Sequence, residues 1–325
     1  MRFVVFGAGA VGGVVGGRLF EHGHDVLFIA RAQHGEALAA AGLTLRSPDG
    51  STTLPVPVVE SPGQVDWHGH EVVLLATKSQ DTEVALRQLD ACAPQSVAVV
   101  CLQNGVANER AALRRFSDVS GVCVMCPAGH LEPGVVVAYS SPVTALLDIG
   151  RYPKGVNVTA EAVAVAFSSS AMESVARPDI MRWKYAKLLR NLGNAVDALC
   201  GPGERGSRLA HLARLEGQAC LVAAGIDFVS DEEDRARRAD HLKLGEVSGQ
   251  HRAGSSSWQS LARSQGSIEA DYLNGEIVLL GRSHGVPTPV NELLRRLANQ
   301  MARDRAGPGT VSPDEVLSLL NGPDD

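Results

Sequence analysis

The chain has 325 residues, 45% hydrophobic and 20% charged, more than a single hydrophobic core usually organises, so two domains are expected. Its net charge is −6 and its Lys and Arg residues are scattered, which removes the electrostatic footprint of a nucleic-acid binder. Six cysteines suit a reducing compartment rather than a disulfide scaffold. Cys123 and Cys126 form C-V-M-C, but no second pair at zinc spacing accompanies them and the segment reads as a strand, so no metal is expected. No run approaches the roughly 18 apolar residues of a membrane span, and the N-terminal apolar stretch is too glycine-rich for a signal peptide. A cytoplasmic protein with no membrane contact is the expectation.

Residues 2–6 form an apolar β run that passes into G-A-G-A-V-G, that is Gly7, Ala8, Gly9, Ala10, Val11 and Gly12, and then into a helical stretch to about residue 22. Between a strand and a helix this is the dinucleotide-binding spacing. The first glycine permits a tight turn, the second lets the backbone approach a pyrophosphate, and the third lets the helix lie on the sheet. The helix N-terminus adds unsatisfied N–H groups for the phosphates. A second strand over 25–30 ends in F-I-A-R. A carboxylate there would bind the ribose hydroxyls of NAD, whereas Arg31 suits the 2′-phosphate of NADP.

A small helix near 35–41 and short β pieces over 43–59, broken by Pro48, Pro55 and Pro57, follow. Two apolar runs then end in polar residues, V-V-L-L-A-T-K at Lys78 and V-A-V-V-C-L-Q-N-G at Asn104. Ligands of doubly wound sheets bind beyond the carboxyl ends of the strands, so Lys78 and Asn104 are expected beside the cofactor. A helix at 109–116, a strand at 121–125, a β-rich stretch over 135–149 and a helix at 157–167 complete a first domain taken as 1–175.

The next stretch, M-R-W-K-Y-A-K-L-L-R-N-L-G-N-A-V-D-A-L-C-G over 181–201, reads as one helix with two unlike faces. Tyr185, Leu188, Leu189, Leu192, Val196 and Leu199 make an apolar stripe. Lys184, Lys187, Asn191 and Asn194, spaced three, four and three apart, project along another side. Asn and Gly193 are poor helix-interior residues, so this face is read as chemical rather than merely solvated. Further helices are expected over 209–224, after the S-D-E-E cap at Ser230, over 268–283 and after G-V-P-T-P. The second domain, 176–308, is thus almost entirely α. A Gly/Pro-rich tail, 309–325, carries one short helix over 313–320. The apolar helices of the second domain are compatible with either a homodimer face or ordinary core.

Taken together, the G-A-G-A-V-G start, Arg31, the T-K at Lys78, the Q-N-G at Asn104, the W-K-Y-A-K-L-L-R-N helix, and S-I-E-A-D-Y-L-N-G ahead of H-G-V-P-T-P resemble the ketopantoate reductase family over nearly the whole chain. The resemblance implies a Rossmann-like doubly wound sheet followed by an all-α domain of the 6-phosphogluconate-dehydrogenase-like type. It also implies NADPH-dependent reduction of 2-dehydropantoate, a small 2-keto acid. It makes Lys187 the catalytic lysine and gives Asn104, Asn191 and Asn194 to the substrate. Ser257 falls to the substrate carboxylate, and Glu269 to the substrate hydroxyl and the lysine. Asn194 follows Lys187 by seven residues where the family has eight, which leaves Lys184 as a rival. Two other readings stay open. One is an NADP-dependent reductase of a different 2-keto acid, or an opine-type dehydrogenase; the other is a non-catalytic NADP-sensing protein.

Overall fold

The computed structural model describes residues 1–249, 251–264 and 266–321, so the last four residues of the expected tail, 322–325, lie outside it. A seven-stranded sheet organises the first part of the chain. It holds β1 (Arg2–Phe6), β2 (Asp25–Ile29), β5 (Val58–Val59), β6 (Val72–Leu75), β7 (Ala98–Cys101), β8 (Val119–Met125) and β11 (Leu146–Arg151), in the spatial order β11-β8-β7-β6-β1-β2-β5. All pairings are parallel except β11 against β8.

The strands are apolar without alternation because both faces are covered. Successive residues of β1 point to opposite sides. Phe3 and Val5 pack with residues of α1 (Ala10–Glu21) and α5 (Val158–Ser168). Val4 and Phe6 pack with α3 (Thr82–Asp90) and α4 (Asn108–Leu113). A second sheet, of order β4-β3-β10-β9, is built from β3 (Leu43–Ser47), β4 (Gly50–Leu54), β9 (Ala128–Glu132) and β10 (Val135–Ala138). Its β10 pairs parallel with β3 and antiparallel with β9, so β3, β4 and the region after β8 form one layer, while β5 from the same 43–59 stretch joins the first sheet beside β2. The helix expected near 35–41 begins earlier, as α2 (Ala32–Ala41).

The helix expected over 181–201 is two, α6 (Ile180–Asn191) and α7 (Gly193–Cys200). Leu192 between them keeps helical torsions, φ −59 and ψ −33, and its N–H still donates to the Leu188 carbonyl at 3.1 Å. The interruption at Leu192–Gly193 therefore barely disturbs the chain direction. The other helices are α8 (Arg208–Ala223), α9 (Asp231–Arg238), α10 (Ser256–Ala262), α11 (Asn274–His284), α12 (Pro289–Arg303) and α13 (Pro313–Asn321). No helix among the described residues is long and apolar enough to cross a membrane.

The chain divides into two compact units, Met1–Lys184 with Ser230–Arg252, and Tyr185–Val229 with Ala253–Asp325. The segment Ser230–Arg252 is thus grouped with the first unit rather than with the helices on either side of it, and a buried carboxylate helps to hold it there. Asp148 on β11 is 3% exposed and binds the Arg177 guanidinium at 2.6 Å and that of Arg237 on α9 at 2.7 Å. Backbone bonds from Gly245 to Tyr139 at 2.9 Å and from Ser141 to Lys243 at 3.2 Å fasten the same excursion to the first unit.

In the second unit, α7 packs against α8, α10 and α12. Asn274 donates to the Leu192 carbonyl at 3.2 Å and to Asn291 at 3.0 Å, while Glu216 accepts from the N–H groups of Val290 and Asn291, both at 2.9 Å. A carboxylate at the N-terminus of α12 meets the positive end of that helix dipole. The expected tail is docked as well. Gly309 and Val311 donate to the carbonyls of Ala198 and Leu199 at 3.0 and 3.2 Å, and Val316 on α13 is buried.

Candidate active site

The carboxyl ends of β1, β2, β6 and β7 carry the residues expected to hold a dinucleotide. The three glycines of the loop are required for different reasons. Gly7 sits at φ +107, and a Cβ there would lie 2.9 Å from Ala76 C and Thr77 N. A Cβ on Gly12 would fall 2.0 Å from the Gly7 oxygen. A Cβ on Gly9 would meet nothing within 4 Å. Thus the protein's own packing demands Gly7 and Gly12, while the open side of Gly9 leaves room for a ligand. Gly9 is the N-cap of α1 and supplies no side chain to its first turn, so Ala10, Val11 and Gly12 begin the helix without a side-chain acceptor.

A cavity of about 500 Å³ adjoins this loop, lined among others by Gly7, Ala8, Ile29, Arg31, His34 and Thr77. Arg31 is exposed at its rim, and Ala32 follows in the left-handed region at φ 53, turning the chain at once into α2. A glycine-lined loop at a helix N-terminus, with a guanidinium beyond the second strand, is a donor set that fits the pyrophosphate and 2′-phosphate of NADP.

Lys78 and Asn104 follow the adjacent strands β6 and β7 and are both half-buried. Their loops share a buried polar network. Gln103 donates to the Thr77 carbonyl at 2.7 Å and to Thr82 Oγ1 at 2.8 Å; Thr82 donates to Asn108 at 2.8 Å; Asn108 donates to the Asn104 carbonyl at 3.1 Å. Buried networks of this kind fix backbone direction in a low-dielectric interior, and the bond from Gln103 to the Thr77 carbonyl ties the Lys78 and Asn104 loops together.

The polar face of α6 and α7 is not a solvated one. Lys184, Asn191 and Asn194 are 3%, 5% and 4% exposed. Lys184 directs its ammonium to three acceptors, the Gln103 carbonyl at 2.9 Å, the Val122 carbonyl at 3.0 Å and the Glu109 carboxylate at 2.8 Å. The two carbonyl contacts are hydrogen bonds and the carboxylate contact is a buried ion pair. Glu109 is itself fully buried, and a Cβ on Gly121 would lie 3.1 Å from its Oε1 and 3.2 Å from Lys184 Cδ, so the glycine makes room for the pair. With Glu109 and Lys184 alongside, burial pushes the Cys101 thiol well above its usual range. Lys184 is therefore a structural cation of the first unit.

The remaining candidates lie in the second unit. Lys187 is half-buried one turn along α6, and Asn191 ends that helix. Asn194, near the start of α7, has a buried Oδ1 that finds no partner among the described residues. Ser255 caps α10, accepting from the Trp258 N–H at 3.2 Å, so Ser257 is not the cap and lies buried inside the helix. The Ser255 N–H donates to Asp197 at 2.6 Å and its hydroxyl to the Asn194 carbonyl at 3.4 Å, which joins the helices carrying Ser257 and Asn194. Glu269, expected within a helix, instead opens a 3-10 turn, Glu269–Tyr272, and is half-buried.

Three residues with structural weight at the site, Glu109, Gln103 and His34, were not among the candidates. Gln103 stood inside the Q-N-G signature and His34 three residues after Arg31, but neither spacing says what the side chain meets. Glu109 stands in the sequence as an ordinary first-turn acid of α4.

Fold and site define a two-unit protein of the dinucleotide-dependent oxidoreductase class, with lysine, amide and carboxylate groups on its helical unit. Residues 3–151 match the family described as Ketopantoate reductase PanE/ApbA, and residues 179–302 its C-terminal part. The chain is 28% identical to the 2-dehydropantoate 2-reductase of Pyrococcus horikoshii, covering 95% of this chain and 100% of that one. It is 30% identical to that of Halobacterium salinarum, covering 94% and 100%. A solved PanE/ApbA family ketopantoate reductase from Ralstonia eutropha JMP134 superposes with TM-score 0.77 at 28% identity, covering 94% of this chain and 99% of that one. The chain belongs to the ketopantoate reductase family.

Proposed function

We propose that the protein catalyses NADPH-dependent reduction of 2-dehydropantoate to pantoate, supplying pantothenate biosynthesis in the cytoplasm. The observation that carries the reading is the glycine loop at the start of α1, packed at Gly7 and Gly12 and open at Gly9, in a chain of the ketopantoate reductase family. Lys184 is held within the first unit by Gln103, Val122 and Glu109, and the family resemblance gives the proton to Lys187. In this reading Gly7 to Gly12 and Arg31 hold the pyrophosphate and the 2′-phosphate, with Lys78 and Asn104 beside the nicotinamide end.

When bound, NADPH supplies the hydride that reduces the keto carbon. The chain's own task is to stabilise the negative charge that grows on the carbonyl oxygen and to protonate it. The Lys187 ammonium does both, as a charge placed at the developing oxyanion and as a general acid. Glu269 keeps Lys187 oriented and accepts from the product hydroxyl. Asn104, Asn191 and Asn194 bind keto, carboxylate and hydroxyl oxygens without adding charge, and the unpartnered Oδ1 of Asn194 is an acceptor for a substrate hydroxyl. Ser257 donates to the substrate carboxylate.

The test is NADPH oxidation by the purified chain against a panel of 2-keto acids, with and without amines. The reading predicts the highest kcat/KM for 2-dehydropantoate and no dependence on amine. Preference for another keto acid, or turnover only with an amine, would overturn the substrate assignment. NADPH binding without turnover on any ketone would favour a sensor.

A further inference from the structure

His34 and the β9–β10 hairpin form a connection into the cofactor loop that no role above explains. His34 Nε2 lies 2.8 Å from the Ala8 carbonyl oxygen, and Nδ1 lies 2.9 Å from the backbone nitrogen of Gly134, in the turn between β9 and β10. A backbone N–H can only donate, so Nδ1 presents its lone pair, Nε2 carries the proton, and the ring is neutral in a single tautomer. Burial holds its pKa below the usual histidine value, against the opposing pull of the Ala8 bond. The His130 ring, from β9, packs on it with centroids 4.4 Å apart. Gly134 adopts φ +80, and a Cβ there would come 3.2 Å from Ala37 Cβ on α2, so turn and helix are in close contact.

The peptide unit captured is the one that matters for a dinucleotide. In a planar trans peptide the carbonyl and the next N–H point in opposite directions. Fixing the Ala8 carbonyl against His34 therefore fixes the direction of the Gly9 N–H, at the residue whose missing Cβ leaves the loop open. We propose that His34 is a positioning residue for the cofactor. Held from behind by the Gly134 turn, its imidazole orients the Ala8–Gly9 peptide so that the Gly9 N–H faces the pyrophosphate. The β9–β10 hairpin is then the strut of the cofactor loop. This rests on the proposed use of a nicotinamide dinucleotide and is independent of which keto acid is reduced.

The experiment measures binding of NADPH and of NADH, by fluorescence without keto acid, to the full-length wild type, His34→Phe and His34→Gln, with thermal melts alongside. Losing one oriented hydrogen bond corresponds to roughly tenfold in affinity. His34→Phe keeps the ring and deletes both bonds, so Kd should rise about tenfold for both nucleotides, with kcat at saturating NADPH little changed. His34→Gln retains a long-reaching N–H donor for Ala8 and should recover most of the loss. In the cofactor-free wild type, the 15N shift of Nδ1 should report an unprotonated nitrogen. An unchanged Kd in folded His34→Phe would overturn the proposal, as would a loss confined to NADPH, which would mean contact with the 2′-phosphate. Should His34→Phe fail to fold, His34→Ala takes its place, and a His34→Gln protein that binds both nucleotides as weakly as His34→Ala overturns the proposal. Wild type that binds neither nucleotide would overturn this inference and the cofactor assignment together.

Discussion

At the scale of single residues, the buried ion pair of Lys184 with Glu109 gives the sharpest statement. Removing one partner of a buried ion pair strands the other charge, at a cost of about 3–5 kcal/mol. Lys184→Met should therefore lower the denaturation midpoint markedly, while Lys184→Met with Glu109→Gln should recover much of the loss. Equal stability of the single variant and the wild type in urea would contradict the structural role. At the cofactor, Arg31→Ala should weaken NADPH far more than NADH, by about 10–100-fold, since a charge-assisted bond to the 2′-phosphate contributes about 1.5–3 kcal/mol. Equal weakening of both nucleotides would show that Arg31 does not read that phosphate.

Elements show the same separation between what holds the fold and what meets a ligand. Gly12 is packed against the Gly7 carbonyl, whereas the position of a Cβ on Gly9 is open. Gly9→Ala should accordingly fold with a near-native melting temperature yet lose NADPH binding, while Gly12→Ala should lose both. A Gly9→Ala protein that binds NADPH normally would argue against the loop as the pyrophosphate site. The excursion carrying α9 gives a pH-dependent prediction. Burial alone would raise the Asp148 pKa, but Arg237 and Arg177 outweigh it and hold the carboxyl below its usual value. A carboxylate depressed in the folded state contributes its stability above the unfolded pKa, about 3.9, and loses it as pH falls through the folded value. Asp148→Asn should thus be destabilised at neutral pH and converge on the wild type below about pH 4, as measured by urea unfolding across pH. Parallel pH curves would contradict the clamp.

For the molecule as a whole, the sequence made most of the architecture legible because the signals were local. Strand, glycine loop and helix fell in order from Arg2 to Glu21, and apolar runs and helical patterns placed the later strands and helices. Ser230 caps α9 as S-D-E-E suggested, and the structure adds the reciprocal bond to Glu233 that completes a capping box. What was not legible depended on partners distant in the chain. Asp148 meets Arg237 89 residues away, so the return of Ser230–Arg252 to the first unit left no local trace. Lys184 meets Glu109 and the carbonyls of Gln103 and Val122, residues 62 to 81 positions away, which the local pattern of the helix could not show. The bond of Asn274 to the Leu192 carbonyl and those that dock Gly309 and Val311 on the carbonyls of α7 likewise join residues distant in the chain.

The central claim is that this chain reduces 2-dehydropantoate with Lys187 as the proton donor, and one paired measurement tests it most directly. Steady-state NADPH oxidation with 2-dehydropantoate is compared for the wild type and Lys187→Ala, together with NADPH binding to each. Loss of a general acid that also stabilises the oxyanion should lower kcat by about 10²–10⁴-fold or more, while the Kd for NADPH stays near that of the wild type. Undiminished turnover by a folded Lys187→Ala protein would contradict the account.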